Sequence, residues 1–294
     1  MRVTLCTAAA GAAMMAATAW CGSPHAQTPQ QVEACQGKGD LPADTVIGGC
    51  TALMQSGNYL GRNLAAVFVI RATAYQRKGE LDRAIQDYDQ AIKLDPGDAT
   101  AYYNRGVAYG SKGDWDRAIQ DYDQALKHQP NDAAAIRNRG VAYQEKKQFD
   151  RALQDLEQAA KLDPKDAATF AYRGGLYLRT GELDRAISDY DQAVRLSPRN
   201  ATNLYNRGVA YSDKGQWSRA IEDYDEAIRL DPKLAAAFSN RGFAYQRQGE
   251  LDRAIQDFDQ AIRLDADNAS AFVLRGSAYQ RKGDLDRAIE DFSR

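Results

Sequence analysis

Four asparagines are the residues of this sequence whose chemistry and spacing best suit recognition of another molecule. They lie 34 residues apart, or twice that distance, and tyrosines and one arginine accompany them. A side-chain amide both donates and accepts hydrogen bonds, so a row of amides suits a peptide main chain of any sequence. Aromatic and cationic side chains commonly anchor a partner. The candidate binding residues are Asn104, Asn138, Asn206, Asn240, Tyr103, Tyr205 and Arg137.

Few residues of the sequence suit catalysis or metal binding. His128 stands alone on a helical segment where most other copies of that segment have leucine, and no Gly-x-Ser-x-Gly, P-loop or Cys–His pair is present. The Asp87-Tyr88-Asp89 triplet and its copies lack the glycine turn and the spacing of a calcium loop, so we interpret them as a solvated or paired helix face. We therefore expect a protein that is not an enzyme and that needs no cofactor or metal.

The candidate residues belong to a segment that repeats with a fixed period. The stretch GELDRAIQDYDQAIKLDP begins at Gly79 and has six further copies, each 34 residues on, without an insertion. A fixed period of this size indicates a stack of identical supersecondary units. Within one unit, Ala118, Tyr122 and Ala125 recur at helical spacing, and Pro130 ends the helix. The pattern predicts two helices in each unit.

The spacing of aromatic-x3-Gly-x2-Tyr followed by Gly-x4-Ala-x3-Tyr-x2-Ala-x4-Pro resembles the tetratricopeptide repeat. One copy carries it on Tyr102, Gly106, Tyr109, Gly113, Ala118, Tyr122, Ala125 and Pro130. Copies in the same phase extend from residue 65 to 294, with Ala72, Leu156 and Lys147 as departures. The resemblance implies an all-α fold, a right-handed superhelical solenoid of helix-turn-helix repeats. It also implies that the first helices line a concave face, where extended peptides bind.

On such a fold the four asparagines would form a row on the concave face, interrupted by Tyr172. This row is similar to the asparagine ladder in the repeat region of O-linked N-acetylglucosamine transferase. The alternative is that asparagine is merely tolerated on the helix surface of a recently duplicated array. The carboxylate clamp of co-chaperones is not matched, because only Arg137 is cationic among the corresponding positions.

An arginine precedes the first glycine position of every copy, and an aspartate recurs in every second helix. Residues in such a fixed phase suit a ladder of partly buried ion pairs, which more often fix geometry than add net stability. Contact with a ligand is the alternative, and the sequence leaves open whether each pair lies within one repeat or joins two neighbours. The arginines are Arg71, Arg105, Arg139, Arg173, Arg207, Arg241 and Arg275. The aspartates are Asp87, Asp121, Asp155, Asp189, Asp223, Asp257 and Asp291.

The N-terminal residues have the pattern of a secretory signal peptide. Arg2 precedes an alanine-rich apolar run, and small residues suit cleavage after Ala19 or Ala26. A membrane anchor is the alternative, but the run is marginal in length and poor in strongly apolar residues. We expect export to the periplasm or the exterior, where Cys35 and Cys50 would form a disulfide.

The formal net charge of −2 shows no basic excess that would favour nucleic acid or an anionic membrane surface.

These observations predict a signal peptide at 1–26, a lead-in with a capping helix and the disulfide at 27–64, and seven repeats. The expected repeats are 65–98, 99–132, 133–166, 167–200, 201–234, 235–268 and the incomplete 269–294. The sequence stops before the last period is complete, although Leu285, Ile289 and Phe292 continue the apolar stripe. End-to-end self-association and a truncated chain are the two explanations that we consider. The expected function is a non-catalytic scaffold that binds an extended peptide or partner protein on its concave face; the alternative is a self-associating structural component of the cell envelope.

Overall fold

A computed structural model describes residues 28–36 and 41–294. The predicted signal peptide and its two cleavage positions lie outside these residues. The described residues form 16 helices and no strand, which confirms the all-α prediction. The helices are α1 Pro29–Gln36, α2 Ala43–Gln55, α3 Gly61–Arg77, α4 Leu81–Leu94, α5 Ala99–Ser111, α6 Trp115–His128, α7 Ala133–Glu145, α8 Phe149–Leu162, α9 Ala167–Thr180, α10 Leu183–Leu196, α11 Ala201–Asp213, α12 Trp217–Leu230, α13 Ala235–Gln248, α14 Leu251–Leu264, α15 Ala269–Lys282 and α16 Leu285–Phe292.

Local signals in the sequence account for where the helices begin and end. The carboxylate of Asp132 accepts hydrogen bonds from the backbone N–H groups of Ala134 and Ala135, so it caps α7. Between α5 and α6, Gly113 has a φ of +76°, the left-handed conformation that glycine adopts without steric cost. Lys147 occupies the same position of the next repeat with a φ of +59°, where an L side chain is disfavoured.

The two helices of a repeat pack closely because one of them carries glycine or alanine where the other carries an aromatic ring. A Cβ atom added to Gly106 would lie 2.8 Å from Tyr122 Cε1 and 3.3 Å from the carbonyl oxygen of Ala118. The ring of Tyr122 is buried beside Ala118, which is fully buried. The repeating glycine therefore allows close contact between the helices, and the tyrosine fills the space that it leaves.

The stack curves with the first helix of each repeat on its inner side. Each of α3, α5, α7, α9, α11 and α13 contacts the next first helix, two elements further along the chain. Consecutive second helices, such as α4 and α6, make no such contact within the described chain. Helices that touch lie on the inside of a bend, so the odd-numbered helices from α3 to α15 line the concave face.

Helices α1 and α2 cover the start of the stack. Val46 and Leu53 of α2 share a buried cluster with Val67 and Ala74 of α3. A disulfide joins Cys35 of α1 to Cys50 of α2, the predicted pair, with their Cα atoms 4.5 Å apart. At the other end, Leu285, Ile289 and Phe292 of α16 are exposed.

Each recurring arginine is bonded within its own repeat, and most are bonded to the preceding repeat as well. Arg105 donates two hydrogen bonds to Asp121 of its own repeat, at 2.8 and 2.7 Å, and one to Asp89 of the preceding repeat at 2.6 Å. The same double contact recurs at Arg139, Arg207, Arg241 and Arg275. Burial lowers the pKa of Arg105, but the bonds to both carboxylates outweigh burial and raise the pKa above its ordinary value. Asp87 and Asp89 of one triplet thus bond to two successive arginines, Arg71 and Arg105, and most copies of the triplet do the same.

Between the third and fourth repeats, the bond from the recurring arginine to an aspartate of the preceding repeat is missing. Arg173 bonds to Asp189 of its own repeat at 2.7 Å, but Glu157 replaces aspartate in the preceding repeat. The longer Glu157 side chain instead accepts a hydrogen bond from Tyr177 at 3.4 Å and lies 3.6 Å from Arg185. A cavity of about 420 Å³ opens beside these residues.

Candidate functional site

The seven predicted binding residues all lie on first helices, which form the concave face. Tyr103 and Asn104 are on α5, Arg137 and Asn138 on α7, Tyr205 and Asn206 on α11, and Asn240 on α13. Every one of them is half-buried. The helical framework therefore holds these side chains in a row while leaving part of each accessible.

Two of the asparagines bond to a tyrosine of the preceding repeat, a pairing that the sequence analysis missed. Asn138 Nδ2 donates to the hydroxyl of Tyr103 at 3.1 Å, and Asn240 Nδ2 donates to the hydroxyl of Tyr205 at 3.0 Å. The signal was present in the sequence as tyrosine and asparagine 35 residues apart. Each bridge links two first helices, and each asparagine keeps one more N–H to donate.

The tyrosines of these bridges also rest on the core of their own repeats. The ring centroid of Tyr103 lies 6.1 Å from that of Tyr122, and the centroid of Tyr205 lies 5.9 Å from that of Tyr224. Burial raises the pKa of Tyr205, only partly offset by the hydrogen bond from Asn240. Both tyrosines are thus positioned rigidly by the fold.

The other two asparagines have free amides. Within the described part of the chain, no side chain or backbone group bonds to the amide of Asn104 or Asn206. Because each of these amides offers donors and an acceptor on the concave face, both are available to a main chain lying along it.

Arg137 is engaged inside the protein. Its guanidinium lies 2.5 Å from the carboxylate of Asp166, which also accepts a hydrogen bond from the hydroxyl of Thr169 at 2.6 Å. Burial raises the pKa of Asp166, but the bonds from Thr169 and Arg137 outweigh burial and lower the pKa below its ordinary value. The predicted cationic anchor is therefore held by an internal carboxylate.

A polar cavity of about 590 Å³ lies on this face between α9 and α11. Tyr172, which interrupts the asparagine row, forms part of its wall and is 43% exposed. Asn206 lies on the opposite side of the cavity. The interruption of the row thus coincides with an opening between α9 and α11.

The described residues offer neither a histidine placed for catalysis nor a cluster of metal ligands. His128 is exposed and stacks on Tyr102 with ring centroids 6.2 Å apart. Among the described residues, no three His, Cys, Asp or Glu side chains are grouped so that they could hold a metal ion. None of the described helices combines the length and the apolar character needed to cross a bilayer.

Two family models match the sequence. The model described as the Cilia and flagella-associated protein 70 C-terminal domain matches residues 8–271. The tetratricopeptide repeat model matches residues 269–294. No curated protein matched in the corresponding comparison.

Solved structures resemble the chain over its repeats. MamA is 28% identical with a TM-score of 0.52, covering 56% of this chain and 96% of MamA. YrrB, described as a TPR protein with an unusual peptide-binding site, is 24% identical with a TM-score of 0.54, covering 63% of this chain and 95% of YrrB. The pilF protein of Pseudomonas aeruginosa is 19% identical with a TM-score of 0.64, covering 76% of this chain and 98% of pilF, which shows a shared fold. Together with the helix pairs and the two family models, these similarities show that the chain belongs to the tetratricopeptide repeat family.

Proposed function

We propose that this protein is a non-catalytic scaffold that binds an extended peptide, or an extended segment of a partner protein, along its concave face. The fold is typical of protein–protein interaction scaffolds, and proteins of this family are generally not catalysts. The observation that carries the proposal is the pair of free amides at Asn104 and Asn206, on the face that also holds the Asn138–Tyr103 and Asn240–Tyr205 bridges.

The arrangement suits a main chain more than one particular side chain. Asn104 and Asn206 offer donors and acceptors, and the bridged asparagines keep an N–H each. The face is not strongly charged at Arg137, because Asp166 neutralises that side chain. A peptide bound here would therefore be held mainly through backbone amides, with Tyr103 and Tyr205 as rigid contact surfaces.

A selection from displayed random linear peptides on the immobilised full chain tests this function. We expect peptides to be enriched on the wild type and to be lost when all four asparagines are changed to alanine. Failure to enrich any peptide, or enrichment that survives the quadruple change, would contradict the proposal.

Export to the periplasm or the exterior is part of the proposal. The disulfide between Cys35 and Cys50 supports it, because such bonds persist in oxidising compartments and are rare in the cytosol. Cell fractionation tests it: we expect the chain, shortened after Ala19 or Ala26, in the exported fraction. A full-length chain that stays in the cytosol would contradict export.

Self-association is a second candidate function, favoured by one apolar surface. Leu285, Ile289 and Phe292 of α16 are 59%, 64% and 48% exposed. Contact between copies through these side chains would remove apolar area from water. Sedimentation equilibrium should then show a mass that rises with concentration and falls with Ile289→Lys; a constant monomer mass would exclude this candidate.

A further inference from the structure

The cavity between α9 and α11 differs from the rest of the concave face in the residues that line it. Its wall combines side chains of the α8–α9 and α10–α11 turns with side chains of both helices. Ala167, Ala168 and Ala171 leave it open, whereas Tyr103, Arg137 and Tyr205 fill the places that correspond to Ala171 in neighbouring repeats. Its polar lining includes Lys165, Asp166, Tyr172 and Asn203.

Asn203 is a buried amide without a partner in this lining. It is only 5% exposed, and within the described chain its side chain makes no hydrogen bond; only its backbone N–H is bonded, to Asn200 Oδ1 at 3.1 Å. Four other repeats have fully buried alanine at the same position: Ala101, Ala135, Ala237 and Ala271. The amide itself borders the cavity and is open to a hydrogen bond from it, and the packing of this position does not require an amide.

The charges around the cavity restrict what Asn203 could bind. The carboxylate of Asp166 is already bonded to Arg137, Thr169 and the backbone N–H of Ala168. Lys165 is exposed and its ammonium has no partner among the described residues. A charged side chain inserted beside Asn203 would lose hydration, and the only unpaired charge in the lining is that of Lys165, which is exposed to solvent; an aliphatic side chain would cover the amide without bonding to it.

We propose that this cavity binds an uncharged polar side chain, an amide or a hydroxyl, of the peptide that lies on the concave face. The side-chain amide of Asn203 forms the specific hydrogen bonds, and the ring of Tyr172 covers the apolar part of the inserted side chain. This inference rests on the proposed function: the asparagine row holds the main chain, and the cavity selects one residue of the peptide.

The substitution Asn203→Ala tests the inference, because alanine is the residue that four other repeats use at this position. The full chain, its Asn203→Ala variant and the quadruple asparagine variant are each used to select displayed random linear peptides. We expect wild-type selection to enrich Asn, Gln, Ser or Thr at one fixed peptide position, and Asn203→Ala to remove that preference. A synthetic peptide with the preferred residue should bind Asn203→Ala about tenfold more weakly, the loss expected for one hydrogen-bonded contact.

Unfolding of the unliganded chain separates a ligand role from a structural one. Asn203→Ala should unfold at the same urea concentration as the wild type or a higher one, because four other repeats pack alanine at this position and the amide of Asn203 bonds to nothing in the described chain. A lower midpoint, with equal weakening of every peptide, would show a structural role and overturn the inference. Enrichment of acidic residues, which Lys165 would explain, or a preference unchanged by Asn203→Ala would overturn it while leaving the proposed function intact. If the wild type enriches no peptide, the proposed function itself is wrong.

Discussion

Asp89 of one repeat accepts a hydrogen bond at 2.6 Å from Arg105 of the next repeat. The same guanidinium holds Asp121 of its own repeat by two further bonds. Arg105 therefore fixes the two helices of its repeat to each other and fixes that repeat to the preceding one. Its recurrence at the same phase gives the stack a set of equivalent joints, so the positions of the concave side chains depend on it.

The two contacts of Arg105 should differ strongly in their contribution to stability. Arg105→Ala leaves Asp121, which is 4% exposed, without its counter-charge, so we expect a loss of about 3–5 kcal/mol in the free energy of unfolding. Asp89→Ala removes a side chain that is 46% exposed and should cost about 1 kcal/mol or less. Urea unfolding followed by circular dichroism measures both. Equal losses would contradict this division between the buried and the exposed contact.

Restoring the missing contact between the third and fourth repeats should make the chain more stable. Glu157→Asp places a shorter carboxylate where the other repeats bond the next arginine, here Arg173, and should stabilise the chain by about 0.5 kcal/mol. Asp123→Glu, the reverse change at the preceding joint with Arg139, serves as the matched control and should destabilise by a similar amount. A loss of stability in both variants would show that the contact between Arg173 and the preceding repeat is not missing because of Glu157.

Buried tyrosines should make the fold sensitive to alkali. Burial raises the pKa of Tyr190 to about 12, from 10.0. The contribution of Tyr190 to the free energy of unfolding is fully present below pH 10 and is lost as the pH rises towards 12. The reason is that the tyrosine hydroxyl of the unfolded chain releases its proton at a lower pH than that of the folded chain. The free energy of unfolding should fall by about 3 kcal/mol through this side chain.

Tyr190→Phe isolates this effect. The hydroxyl of Tyr190 has no hydrogen-bond partner in the described chain, and Phe258 fills the same position of the sixth repeat. We therefore expect little change at neutral pH and a smaller fall in the free energy of unfolding between pH 10 and 12. An unchanged alkaline profile would show that Tyr190 is not responsible.

Reduction of the disulfide should release α1 while leaving the repeats folded. The bond closes a loop between residues 35 and 50, worth about 3 kcal/mol in the chain-entropy model. Hydrogen exchange should show faster exchange over α1 after reduction, with little change from α4 onwards. The double variant Cys35→Ala and Cys50→Ala should exchange rapidly over α1 with or without reductant. Slow exchange over α1 in the reduced protein would contradict this role.

The sequence predicts the fold well because the features that form it recur at a fixed period. The apolar stripe of Ala118, Tyr122 and Ala125 defines a second helix, and Asp132 caps the helix that follows. Each copy of the repeat predicts the same helix at the same position of the period. Local helix propensity and the period therefore predict the same elements. The family resemblance then gave the order of the helices.

The side-chain partners were harder to predict, because they depend on how neighbouring repeats are rotated against each other. The sequence contains Arg105, Asp89 and Asp121 but not the angle that brings all three together. The Asn138–Tyr103 bridge likewise requires knowing which positions of two first helices face each other. Asn203 is hard to single out for another reason: three repeats replace the alanine of this position, with Val67, Thr169 and Asn203, so no recurring pattern marks the asparagine.

The proposed function requires that the amides of Asn104, Asn138, Asn206 and Asn240 hold a peptide main chain on the concave face. The direct test is calorimetric titration of a selected peptide into the wild type and the quadruple alanine variant. A matched control changes Gln86, Gln120, Gln154 and Gln256 to alanine, since these amides are exposed on second helices and bond to nothing in the described chain.

Affinity should fall at least about tenfold in the asparagine variant, because lost hydrogen bonds of about 1 kcal/mol each accumulate over the row. The glutamine variant should bind as the wild type does, and both variants should keep the helical content of the wild type. Equal affinity of the asparagine variant and the wild type, with the fold intact, would contradict the claim.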